Sequence, residues 1–183
     1  MNIIETFDHN NKTIEIYQDI DPQNPRDKNI QDNLDIMVCF HNRYNLGDED
    51  HGYTSDHYNS WDEVKAQIIK DHDPVVILPL YLYDHSGITI STTPFHCPWD
   101  SGRVGFVFIS RKAALENWSK KRVSPKMKKM CTEMIEGSVK KYDQYLTGDV
   151  YGFVIKDKDD NELDSCWGCY GLDYVKEQAK EAA

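Results

Sequence analysis

Val75–Tyr83 reads VVILPLYLY, an uncharged apolar run in a chain where 28% of residues are charged. A run this apolar and this short has to be buried as a central strand, and the rest of the fold must be arranged to cover it. Asp84-His85-Ser86-Gly87 then reads as a turn into Ile88–Ser91. Gly102–Ile109 gives a further strand.

Before this run, Ile3–Phe7 and Thr13–Tyr17 alternate apolar and polar around Asp8–Lys12, which predicts an opening hairpin. Asp19–Gln31 reads as a polar loop with Asp21-Pro22 and Asn24-Pro25, and Leu34–His41 as a strand. Ser60 predicts a helix N-cap with Glu63 as its capping-box partner, and Asp73-Pro74 ends that helix. Later in the chain, Ser110 caps a short helix to about Trp118. Ser124-Pro125 opens a longer one that runs to Gly148. Along it, Met127, Met130, Met134 and Ile135 form the expected core stripe. Val150–Ile155 and Glu162–Trp167 predict a second hairpin, and Tyr174–Ala182 a last helix. This order predicts one α+β domain over residues 1–183, with a mainly antiparallel sheet and three to four helices.

Charge is unevenly placed. Residues 1–100 carry 18 acidic and 6 basic side chains, and residues 101–183 carry 13 and 15. Within the second part, a basic helical segment of about residues 110–147 holds 10 of the 15 basic side chains. An acidic body disfavours nucleic acid and suits a basic protein partner. Asp19, Asp21, Asp48, Glu49, Asp50 and Asp56 are the candidate contact residues. No apolar run approaches the ~18 residues of a membrane span. The N-terminus MNIIETFDHNN lacks the features of a signal peptide, so a cytoplasmic location is expected.

Between the strands, Thr92–Ser101 concentrates Pro, Phe, His, Cys, Trp and Asp. Such a loop is too poor in aliphatic residues for core and too apolar for a linker. A metal is one explanation. His41, His85, His96, Cys97, Cys166 and Cys169 are the candidate ligands, a thiolate and imidazole set that favours zinc. Cys166-Trp-Gly-Cys169 has the spacing of half a zinc site, and that of a thioredoxin-type dithiol. The simpler alternative makes the cysteines small buried hydrophobes. Asp157–Asp164 lacks the glycine and the final glutamate of a calcium loop and reads as a charged turn. No Walker A, GxGxxG or GxSxG pattern is present, so no catalytic residue is assigned.

Three blocks, Asp32–His51, Pro79–Ser110 and Tyr145–Gly171, together resemble a family of small proteins carried by phages, prophages and mobile elements of Gram-positive bacteria. Similar chains are candidates for anti-CRISPR inhibitors of type II effectors. The resemblance therefore implies a Cas9-type nuclease as partner, with Asp and Glu meeting the Lys and Arg that hold nucleic acid. Any zinc would then be structural. The alternative is a metal-dependent hydrolase acting on nucleotides or nucleic acid.

Overall fold

A computed structural model describes residues 2–183. In chain order it contains β1 (Ile3–His9), β2 (Lys12–Gln18), β3 (Ile36–Cys39), α1 (Trp61–His72), β4 (Pro74–Asp84), β5 (Ile88–Ser91), β6 (Ser101–Ser110), α2 (Arg111–Asn117), α3 (Pro125–Thr147), β7 (Val150–Lys156), β8 (Glu162–Tyr170) and α4 (Leu172–Ala182). The class is α+β with antiparallel pairing, as the sequence predicts. The strands form two four-stranded sheets, β1-β2-β7-β8 and β3-β6-β4-β5. The chain gathers into two compact units: residues up to Asn24 together with Gln144–Ala183, and Pro25–Asp143.

The first unit joins the two ends of the sequence. Asn10 and Asn11 have φ of 51° and 60°, the left-handed conformation that a two-residue hairpin turn between β1 and β2 requires. β2 then pairs with β7 from Thr13↔Lys156 to Gln18↔Tyr151. One sheet face supplies Ile14, Ile16, Phe153, Ile155 and Cys169, which pack with Val175 and Ala179 of α4. Each large aliphatic or aromatic side chain buried here contributes on the order of 1.5–3 kcal/mol.

In the second unit, β4 and β6 form the middle of the sheet, as the apolar run demands. β5 pairs with β4 only from Tyr81 onward. Pro79 therefore lies where β4 has a strand partner on one side alone, a position that accommodates a missing N–H. Val38, Phe106 and Phe108 pack against Val64 and Ile68 of α1. Ser60 Oγ accepts from the Glu63 amide at 3.3 Å, while the Glu63 carboxylate accepts from the Asn59 amide at 2.8 Å. That is the expected capping box, displaced by one residue on its return arm.

The buried stripe of α3 is Met127, Cys131, Ile135, Val139 and Tyr142. Met127 and Ile135 of the predicted stripe are buried as expected, whereas Met130 and Met134 are not. Met134 is 41% exposed, because the face that packs repeats every four residues from Met127 and so passes through Cys131 instead of Met130.

Arg26 lies in the segment read as a polar loop, yet its side chain is 1% exposed. All five guanidinium N–H donors have an acceptor. Nε and Nη2 bind the two Asp48 oxygens at 2.8 Å each. Nη1 reaches Asp35 Oδ2 at 2.8 Å and Ser138 Oγ at 3.0 Å, and Nη2 also reaches the Asp35 carbonyl at 3.1 Å. Burial raises the Asp35 carboxyl above the usual range, opposed by Arg26 and by the Ser138 hydroxyl.

Candidate functional site

The ends of β3, β4 and β6 in the second unit open into a cleft of about 420 Å³. Phe40–Arg43 line it from beyond β3, Leu82 and Asp84 from β4, and Trp99–Val104 from the start of β6 and the loop before it. This is the loop whose composition stands out in the sequence.

Its backbone is fastened at both ends. Ser91 Oγ accepts from the Thr93 amide at 3.0 Å, making a small turn as the chain leaves β5. The Ser101 hydroxyl donates to the Cys97 carbonyl. The Asp84 amide donates to the Asp100 carbonyl at 2.8 Å, so the loop's far end is tied to β4. Phe95 packs on Tyr83 with ring centroids 5.7 Å apart. Between these ties Trp99 projects outward, 91% exposed. From below, Asp143 of α3 accepts from the Thr89 hydroxyl at 2.5 Å and the Ile90 amide at 2.8 Å, which seats β5.

Charged groups flank the cleft in pairs. Arg43 forms an ion pair with Asp84, and the Tyr44 hydroxyl donates to the same carboxylate at 3.4 Å. Arg103 lies over the Tyr81 and Phe106 rings and donates to the Tyr81 hydroxyl at 3.1 Å. Asp100 Oδ2 meets His85 Nδ1 at 3.3 Å and Cys97 Sγ at 3.5 Å. Here the carboxylate stands between thiol and imidazole. A nucleophilic cysteine needs the imidazole in the middle, so this order does not make a Cys–His dyad.

The six predicted metal ligands are spread over separate places. His85 and Cys97 meet through Asp100, beside exposed His96. Cys166 and Cys169 lie on β8 in the other unit. His41 turns back to its own loop, where Nδ1 accepts from the Arg43 and Tyr44 amides at 3.2 Å each and the ring stacks on Tyr44. Two donors at Nδ1 place the ring proton on Nε2, which leaves no lone pair for a metal in that tautomer. Cys39, its strand neighbour, is buried, and its thiol is pushed up to about 12 by that burial. Among the described residues, no group of three His, Cys, Asp or Glu side chains has the arrangement of a metal centre.

The predicted acidic contact set divides too. Asp19 and Asp21 belong to the first unit, where Asp19 Oδ1 accepts from the Asp21 amide at 3.1 Å. Asp48 has an internal role, holding Arg26 and accepting from the Met37 amide at 2.8 Å. Asp50 pairs with Lys28, whose ammonium holds its carboxyl below the usual range. Asp56 accepts from the Ser55 hydroxyl at 3.2 Å, and with Glu49 it is exposed. Asp157 accepts from the Asp159 and Asn161 amides, so that acidic segment is a charged hairpin turn, as expected.

Sequence reasoning missed Arg43, Arg103 and Asp143 at this site, and Arg26 elsewhere in the same unit. Two of the six basic residues before position 100 are Arg26 and Arg43, and their rarity in so acidic a stretch was the available signal. Nothing local marks Asp143. Comparison with protein-family models, with curated proteins and with solved structures finds no match.

Proposed function

We propose that this chain is a phage-derived protein that works by stoichiometric binding to a basic partner, and that the partner is a Cas9-type nuclease whose loading of target DNA it blocks. The observation that supports binding is Trp99. Its indole is 91% exposed while the backbone around it is fastened to β4 and β6. Tryptophan is among the side chains that most often anchor protein interfaces. A loop already ordered before binding also avoids much of the entropy cost of association.

Charge supports the sign of the partner. The chain carries a formal net charge of −10, and exposed Glu49, Asp50 and Asp56 suit a surface rich in Lys and Arg. The nuclease itself is suggested by the resemblance of the three sequence blocks, since channels that hold a guide–target duplex are basic.

The test adds excess protein to a Cas9–guide complex and measures target-DNA binding and cleavage. Loss of both at about one chain per complex is the expected result. Trp99→Ala should weaken inhibition by at least about tenfold, which corresponds to about 1.4 kcal/mol. Unchanged DNA binding and cleavage would reject this target.

A second reading draws on the contact between His85 and Asp100 beside the cleft, which offers an imidazole and a carboxylate to one substrate. It makes the chain a metal-dependent hydrolase of nucleotides or nucleic acid. Multiple turnover on nucleotides with a divalent metal, lost in His85→Ala, would replace the binding reading.

A further inference from the structure

Cysteines three apart in a regular strand point to opposite faces and stand about 10 Å apart, too far for a bond between them. β8 is not regular there. Cys166 is opposite Phe153 and Cys169 opposite Tyr151, so Trp167 and Gly168 together face the single residue Gly152. Gly168, with φ of 74°, supplies the left-handed residue of this bulge.

The bulge has two consequences. Residues directly opposite each other share a sheet face, and Tyr151 and Phe153 are two apart. Cys166 and Cys169 therefore lie on one face, with the spacing of neighbours two apart in a strand. That spacing is about 6.6 Å, inside the ~4.4–6.8 Å over which a disulfide joins two Cα atoms. Burial, reinforced by the neighbouring Cys166 thiol, pushes the Cys169 thiol up to about 11. Cys166 is exposed and Cys169 is buried against Phe153 in the core of the first unit.

The geometry points to a modification site: Cys166 and Cys169 form a reversible disulfide across the β8 bulge when the protein meets a low-molecular-weight disulfide such as glutathione disulfide. The exposed Cys166 thiolate attacks one sulfur of glutathione disulfide. The S–S bond breaks, and the departing glutathione sulfur takes the electron pair and the proton that Cys166 lost. Cys169 then attacks Cys166 Sγ, and the second glutathione leaves with the Cys169 proton. Two protein thiols are oxidised to one disulfide, and one glutathione disulfide is reduced to two thiols. The new ring encloses Trp167, whose indole covers Gly152 and packs 6.0 Å from the Tyr17 ring. The redox state of the pair is thereby coupled to a partly exposed aromatic side chain. This inference is independent of the proposed partner.

The test incubates the full chain with excess glutathione disulfide, alkylates remaining thiols in acid and maps the peptides. The expected product has lost two hydrogen atoms within the peptide holding Cys166 and Cys169, and dithiothreitol restores them. Cys169→Ser should stop with one glutathione on Cys166, and Cys166→Ser should leave Cys169 reduced. Cys166 is exposed, so Cys166→Ser keeps the core, and an unchanged urea midpoint checks this. A stable glutathione adduct on Cys166 of the unmodified sequence overturns the inference, and so do two alkylated thiols at 166 and 169.

Discussion

Replacing Arg26 by Met tests whether the buried ion network organises the second unit. The substitution keeps most of the side-chain length but removes five hydrogen bonds, three of them to Asp48 and Asp35 carboxylates at 2.8 Å. Asp48 retains the Met37 amide and some access to water. Asp35, whose side chain is 7% exposed, keeps only the Ser138 hydroxyl at 3.1 Å among the side-chain donors described above. Removing one partner of a buried pair typically costs about 3–5 kcal/mol, because the remaining charge is left uncompensated. With a urea slope of about 1–3 kcal/mol per M, the midpoint should fall by more than about 1 M. The loss should also depend on pH in a definite direction. Burial already raises the folded-state Asp35 pKa above 3.8, and removing Arg26 raises it further. A group raised in this way destabilises the fold once the unfolded carboxyl ionises. The penalty is therefore absent well below 3.8 and grows as pH rises from there through the raised folded value. Urea unfolding at neutral pH and near pH 4 measures both quantities. A loss under about 1 kcal/mol at pH 7 would refute the reasoning, as would a loss that does not shrink toward pH 4.

Gly105→Ala should destabilise by about 3 kcal/mol or more, because the added Cβ would lie 1.8 Å from the Val38 carbonyl oxygen, between β3 and β6; thermal unfolding measures the loss. Gly152→Ala should displace the Trp167 indole, whose Cε3 lies 2.3 Å from the new Cβ position, and shift tryptophan emission to the red while the chain stays folded. Trp99→Ala should leave stability within about 0.5 kcal/mol in the urea assay, since little of this side chain is buried. Cys39 should resist iodoacetamide in the folded protein even at pH 9, because burial excludes the reagent and holds the thiol near 12; alkylation at the rate of Cys166 would contradict this.

Local chemistry in the sequence determined the elements. Serine caps at Ser60 and Ser110, proline at the first position of α3, the paired asparagines of the first hairpin and the apolar run of β4 each act over a few residues, so one sequence suffices to place them. Composition also singled out the Thr92–Ser101 loop, whose end at Trp99–Ser101 lines the cleft. The partners of these elements were decided only by tertiary structure. Nothing local tells β2 to pair with β7, more than 130 positions away, and that choice turns one expected sheet into two. Nor does local sequence say which polar side chain is buried. Arg26 reads as solvated loop until Asp35, Asp48 and Ser138 converge on it, and Asp143 is one more acidic residue on a helix until β5 lies over it. The same holds for the cysteines. Spacing alone suggested a metal or a redox pair, and a single extra residue at the β8 bulge determines that Cys166 and Cys169 share a face, because strand geometry alternates with every residue.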